Sequence, residues 1–166
     1  MKEYRNFYHS PIGNWCLTSD GTCLTAVSFV VNTIPKNADD ELDIFEETKK
    51  WLDIYFSGKC PDFMPNIKLN GTPFQMSVWN ILKEIPYGKT ITYGEIANKI
   101  AIKRGIERMS AQAVGGAVGR NPIAIIVPCH RVIGANGVLV GYEYGTKIKA
   151  KLLELENCDK FIKDNR

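Results

Sequence analysis

The sequence predicts a mixed α/β protein in two parts: antiparallel strands with one helix over residues 1–69, then a mostly helical segment with a helix-turn-helix over residues 70–166. Three observations predict it. Short extended segments separated by turn residues fill the first thirty positions. Apolar residues at helical spacing, opened by capping boxes, dominate after residue 70. The charge also changes sign: residues 1–69 carry 7 Lys/Arg and 10 Asp/Glu, net −3, and residues 70–166 carry 14 and 8, net +6. A chain of 166 residues suits one medium domain or two small ones sharing an interface.

Tyr4 to His9 reads as a strand closed by Ser10-Pro11-Ile12-Gly13. Trp15 to Thr18 and Thr22 to Val30 flank Asp20-Gly21, a hairpin signal. Asp39 to Phe56 reads as a helix. Leu42, Phe45, Leu52 and Tyr55 give it an apolar stripe, and acidic residues crowd its first turns, where the helix dipole favours negative charge. Ser57 to Asn70 contains Gly58, Pro61 and Pro65, has no clear period, and joins the two parts.

Thr72-Pro73-Phe74-Gln75 is a capping box with proline at the first helical position. Phe74, Val78, Ile81, Leu82 and Ile85 follow at helical spacing until Pro86-Tyr87-Gly88 ends the helix. Thr92-Tyr93-Gly94-Glu95 is a second capping box, with Ile96, Ala97 and Ile100 turned inward. Ser110 caps a third helix, Ala111 to Gly119, built from small residues and stopped by Asn121-Pro122. Its Ala/Gly surface lets another backbone come close, either a second helix or the floor of a DNA groove. Ile123 to Val127 reads as a short buried strand leading to Pro128-Cys129-His130-Arg131. Asn136-Gly137 is a turn, and a last helix from Thr146 contains Ile148, Leu152, Leu153 and Glu156.

Composition excludes several classes. No apolar run approaches the ~18 residues of a membrane span. The N-terminus lacks the apolar core of a signal peptide, so a cytoplasmic protein is expected. Five cysteines at irregular spacing do not form a disulfide framework. His9, Cys16 and Cys23 lack a fourth partner and a CxxC pair, so no metal is expected. Between residues 98 and 131, Lys99, Lys103, Arg104, Arg108, Arg120 and Arg131 face Glu107 alone. That excess suits either a nucleic-acid partner or a solvated surface.

Cys129 beside His130 is either a buried thiol next to a satisfied histidine or a nucleophile next to its base. A cysteine attacks as the thiolate, so it needs a group to take its proton. On a strand the two side chains would point opposite ways; contact needs a turn or a bridging water.

Pro128-Cys129-His130-Arg131-Val132, together with Gly71-Thr72-Pro73-Phe74-Gln75, Val78-Trp79, Ile85-Pro86-Tyr87-Gly88, Ala113-Val114-Gly115-Gly116-Ala117 and Asn121-Pro122, resembles the O6-alkylguanine-DNA alkyltransferase family. The resemblance covers roughly residues 70–157, while residues 1–69 match in length and order of elements. It implies a ribonuclease-H-like N-terminal subdomain and a winged-helix-like C-terminal domain. It implies irreversible transfer of an alkyl group from guanine O6, and from O4-methylthymine, to Cys129, without a cofactor. In that scheme His130 takes the thiol proton through a water, Glu156 orients His130, and Asn121 fixes the joint before the active site. Tyr93, Val132, Tyr142 and Glu143 would contact the flipped base. Ala111, Gln112, Ala113, Gly115, Gly116, Arg120 and Arg131 would meet the DNA. The expected partner is duplex DNA carrying alkylated bases, bound by a monomer.

Two departures from the family pattern concern the DNA face and the pocket. Gln112 stands where the family often has arginine. Glu143-Tyr144 stands where many members carry small residues, so the loop is either displaced or restricts large alkyl groups. Three other readings compete. A non-catalytic relative that recruits other repair lacks the acceptor cysteine. A thiol hydrolase would turn over repeatedly. A transcription factor needs base-reading side chains that the Ala/Gly helix does not offer.

Overall fold

The structure is a computed structural model that describes residues 2–36 and 39–158. Its contacts cluster in two compact units. One holds the described residues up to Leu69 together with Pro122–Ile126, and the other runs from Asn70 to Asn121 and from Val127 onward.

In the first unit β1 (Tyr4–Ser10), β2 (Gly13–Ser19) and β3 (Leu24–Phe29) form an antiparallel sheet in that order. Gly13 makes the first turn at φ +132°, and a Cβ there would sit 2.5 Å from the Phe29 ring, so only glycine fits. The second turn is held by Asp20, whose carboxylate accepts from the Thr22 and Cys23 N–H groups. Helix α1 (Asp43–Phe56) supplies Phe45, Leu52 and Tyr55 to a core with Trp15, Leu17, Leu24 and Val27. It begins four residues later than the acidic run suggests. Asp40 instead pairs with β1: its N–H donates to the Arg5 carbonyl and its carboxylate accepts from the Arg5 N–H. Tertiary pairing with a strand edge therefore outcompetes the local preference for helix.

Ile123 to Val127 is not a strand. Val27 makes a single bridge to Ile123, Ala124 donates to the Val27 carbonyl, and residues 124–126 turn, with Ile125 at φ +69°. All five residues are buried. An apolar run reports burial but not backbone shape, which is why it reads as a strand.

The second unit opens with α2 (Pro73–Lys83), then the two-residue β4 (Ile91–Thr92), α3 (Tyr93–Arg104) and α4 (Ala111–Gly119). Both expected capping boxes form, at Thr72/Gln75 and Thr92/Glu95. Each cap stabilises its helix by about 1 kcal/mol. Gly105, in the left-handed region, ends α3, and residues 105–110 lead to Ser110, whose hydroxyl caps α4. Val114, Ala117 and Val118 turn inward from α4, and Trp79 of α2 donates its indole N–H to the Ala117 carbonyl at 2.8 Å. β5 (Val132–Ile133) pairs parallel with β4, and α5 (Thr146–Leu155) closes the unit, with Leu153 against Ile133 and Leu139. Glu156 lies one residue beyond α5, as its C-cap. Among the described residues no helix is long and apolar enough to cross a membrane.

Candidate active site

Cys129, His130 and Arg131 form one 3-10 turn after Pro128, so the opposed side chains of a strand do not apply. All three are buried. The 3-10 turn and the 85–88 segment bring three donors to the carboxylate of Glu156, the C-cap of α5. Glu156 Oε2 accepts from His130 Nε2 at 2.5 Å, and Oε1 accepts from Arg131 Nε at 2.8 Å and from the Gly88 N–H at 3.0 Å. Arg131 also donates to the Ile85 carbonyl at 2.7 Å and lies over the Tyr87 ring. The Ile85-Pro86-Tyr87-Gly88 turn is thus part of the site's frame.

Burial is the largest effect on Glu156 and pushes its carboxyl up, but His130 and Arg131 together outweigh it and hold it well below the usual range. Glu156 is therefore an anion matched by the permanently charged Arg131. Burial depresses His130, keeping the imidazole neutral despite the carboxylate. A neutral imidazole that donates from Nε2 carries its lone pair on Nδ1, and that is the basic nitrogen.

Burial pushes the Cys129 thiol up to about 11, while a hydrogen bond from Asn121 and the charge of Lys149 act the other way. The resting thiol is therefore protonated, inert toward oxidants, and in need of a base. Asn121 is buried and donates from its amide to the Val127 carbonyl at 2.8 Å, tying the end of α4 to the residue two before the cysteine.

Lys149 is a residue that the sequence reading missed. It is fully buried, donates to the Val140 carbonyl at 2.9 Å, and lies 3.5 Å from the Tyr93 hydroxyl, which donates to the same carbonyl at 3.0 Å. Burial draws it down to about 8. A signal existed: Lys149 falls on the same face as Leu152, Leu153 and Glu156, at i, i+3, i+4 and i+7. Tyr93, the first residue of α3, is partly buried, and burial pushes its phenol up to about 12.

The other expected residues fall in three places. Val132 is buried in β5, directly after the turn. Tyr142 and Glu143 flank the thiol in a cavity of about 10 Å³, with the Tyr142 hydroxyl buried. Ala111, Gln112, Ala113, Gly116 and Arg120 are exposed on α4 and at its end, and Gly115 is partly so, beside the Tyr93 ring. A Cβ at Gly116 would meet nothing within 4 Å, so packing inside the chain does not explain a glycine there. Arg131 corrects the expectation: it is not at the DNA face but buried against Glu156, because the 3-10 turn directs it inward.

Among the described residues no three His, Cys, Asp or Glu side chains stand together as a metal would need. His9 pairs with Asn14, and Cys23 accepts from Asn66. A cavity of about 1100 Å³ belongs to the N-terminal unit and is lined by none of the expected site residues.

Comparison with known proteins extends the resemblance over nearly the whole chain. Residues 73–158 match the family model described as the 6-O-methylguanine DNA methyltransferase DNA binding domain. Residues 4–69 match its ribonuclease-like domain, so the N-terminal part shares more than length and order of elements. The methylated-DNA–protein-cysteine methyltransferase of Methanosarcina acetivorans is 46% identical over 157 residues, covering 92% of this chain and 97% of that protein. The like-named protein of Mycobacterium leprae is 45% identical over 155 residues, covering 89% and 88%. A crystal structure of the Mycobacterium tuberculosis O6-methylguanine methyltransferase superposes with a TM-score of 0.80 at 41% identity, covering 98% of this chain and 97% of that one. A second, in complex with DNA, also gives 0.80, at 43% identity over 93% and 92%. The chain belongs to the 6-O-methylguanine DNA methyltransferase family.

Proposed function

We propose that the chain repairs DNA by direct reversal, moving a methyl or other alkyl group from guanine O6 to Cys129 in a single irreversible turnover. The observation that carries this reading is the buried Cys129 thiol, in one turn with an imidazole whose tautomer is set by the Glu156–Arg131 pair.

The chemistry follows from those groups. His130 Nδ1 takes the thiol proton through a bridging water. The thiolate attacks the alkyl carbon, a C–S bond forms, and the C–O bond breaks with its electrons passing to the purine. The guanine anion is neutralised by a proton from Tyr93, whose hydroxyl lies beside the Lys149 ammonium. The product is a thioether, which water does not cleave at useful rates, so no step restores the thiol.

The target atom lies inside the duplex, so the base must leave the stack, at a cost of a few kcal/mol. The exposed small-residue face of α4 suits close approach to a minor groove. Gln112 offers a hydrogen bond to the orphaned base but no charge. Exposed Arg104 and Arg108 supply cations on the approach to α4. We place the protein in the cytoplasm, acting as a monomer on duplex DNA, where a reducing environment suits its free cysteines.

The test is intact mass after incubation with a duplex carrying O6-methylguanine. The reading predicts a gain of one methyl, mapped to Cys129, with a stoichiometric plateau and no transfer by Cys129→Ser. Tight binding with unchanged mass, or repeated turnover, overturns it.

A further inference from the structure

The chain that leads into α4 is longer than a tight turn, and it is held at both ends. Gly105 ends α3 at φ +65°. There the Ile106 N–H donates back to the Ala101 carbonyl and the Gly105 N–H to the Ile102 carbonyl, the paired bonds of a glycine cap. At the other end the Ser110 hydroxyl accepts from the Ala113 N–H. Between these fixed points nothing is covered: every residue from 102 to 108 is exposed. The segment carries Lys103, Arg104 and Arg108 against Glu107 alone. The ion pairs among the described residues involve none of the three cations. Arg104 lies over the Phe74 ring at 5.4 Å, and a stacked guanidinium keeps its N–H edge for another partner. Ile102, on the last turn of α3, is 72% exposed, so the fold gains little from it. One exposed isoleucine is ordinary on a surface. Here it stands next to Lys103, within the part of the chain that matches the DNA binding domain.

Resting on the reading above that α4 meets a minor groove, we propose that residues 102–108 are a second DNA contact, a clamp on one sugar-phosphate strand beside the groove. Lys103, Arg104 and Arg108 pair with its phosphates, and Ile102 packs on the deoxyribose carbons between them. A helix whose first turn lies in a minor groove has a strand on either side, so the chain that precedes the helix crosses one of them. The groove is about 6 Å wide, and about two extended residues span as much. Arg108 stands two residues before the Ser110 cap, where that crossing falls. A strand offers anionic oxygens alternating with apolar sugar, which suits an isoleucine among cations better than water does. Contacts of this kind position the protein and carry no sequence information. The clamp therefore adds affinity for undamaged duplex as much as for modified duplex, and retains the protein on DNA while it encounters lesions.

The experiment titrates an undamaged duplex of about two helical turns, over a range of salt, with the full chain, Lys103→Gln/Arg108→Gln and Ile102→Ser. Each protein is shown to be folded by a cooperative thermal melt; the substituted side chains are exposed, so no core contact is lost. Arg104 is left in place because it packs on Phe74. A charge-matched control, Lys50→Gln/Lys59→Gln, removes two exposed cations from the N-terminal unit. Expected is a fall of about 1.8 in the slope of log affinity against log salt for Lys103→Gln/Arg108→Gln, about 0.9 for each phosphate contact removed. Ile102→Ser should weaken binding by at least roughly threefold with the slope unmoved, since an apolar contact releases no counterion. A double variant that lowers the slope no more than the control overturns the inference, as does an Ile102→Ser chain that binds like the parent. A dimer of the parent that Ile102→Ser abolishes, with DNA binding unmoved, overturns it in favour of a second copy of the chain. Gln112→Arg in the same titration separates the two levels. If it steepens the slope and the double variant leaves it unmoved, the clamp alone falls; if neither moves it, the placement of α4 falls as well.

Discussion

Replacing Glu156 by glutamine changes one atom and inverts the site's proton. Glu156 accepts on both oxygens: Oε1 from Arg131 and Gly88, Oε2 from His130. A glutamine keeps one acceptor and gains a donor. Its carbonyl oxygen goes to the side with two donors, which leaves the amide N–H facing His130 Nε2. The imidazole then has to accept at Nε2 and carry its hydrogen on Nδ1, the nitrogen assigned to take the thiol proton. In a Ser-His-Asp site the wrong tautomer costs about 10⁴ in rate, and a general base contributes roughly 10²–10⁴. Glu156→Gln should therefore slow methyl transfer by about 10²–10⁴, measured as the single-turnover rate of mass gain. Stability should fall as well. The buried Arg131 loses its counter-charge, which costs about 3–5 kcal/mol. At about 2–4 °C per kcal/mol for a chain of this size, Tm drops by at least roughly 6 °C. The deficit has a pH signature. The Glu156 carboxyl is held below its unfolded value, so its contribution is fully present above that value of about 4.3 and is lost as pH falls through the folded value. The gap between parent and variant should be constant from pH 5 to 7 and close in acid. A folded Glu156→Gln that transfers within about threefold of the parent at pH 7 would refute the assignment of His130 as a base oriented by Glu156.

Three further outcomes are expected. The Cys129 thiol is raised to about 11 in the fold, so its contribution to stability is complete below its ordinary value near 9 and lost as pH climbs to 11. Denaturant melts should show the parent losing about 2–3 kcal/mol relative to Cys129→Ser across that window; parallel profiles would contradict the buried-thiol reading. Lys149→Met removes a cation facing the thiol and the donor beside Tyr93, and should slow transfer by about tenfold for each unit the thiol pKa rises. An unchanged rate between pH 7 and 8 would show that the Lys149 charge plays no part. Gln112→Arg adds a cation to the exposed start of α4 and should steepen the slope of log affinity against log salt by about 0.9. A slope that stays put in filter-binding titrations would place Gln112 away from the DNA.

Much of the site's chemistry was legible in the residues themselves. Thr72 and Thr92 with Gln75 and Glu95 announced two helix starts, and both boxes form, because capping is a contact between residues three apart. Ser110 announced the third. Cys129 with His130, one of two histidines in the whole chain, offered a thiol and a candidate base from the residues alone, and the family resemblance added Glu156 as the acid that would orient it.

What the linear order left open depends on contacts across long separations. Arg131 looks like a surface cation in a basic stretch, and only the 3-10 turn buries it against a carboxylate 25 residues away. Ile123 to Val127 reads as a strand because burial and extension give the same apolar signal, and the fold offers it one bridge rather than a ladder. Asp40 looks helical until the Arg5 backbone claims it. Lys149 put a charge on the face that carries Leu152 and Leu153, a visible irregularity whose meaning required the Val140 carbonyl and the Tyr93 hydroxyl to be brought beside it. The sequence by itself determined which atoms can react, since that is a matter of functional groups. The tertiary structure alone decided which are charged and which tautomer is present. Those properties follow from burial and from partners that come together only when the chain folds.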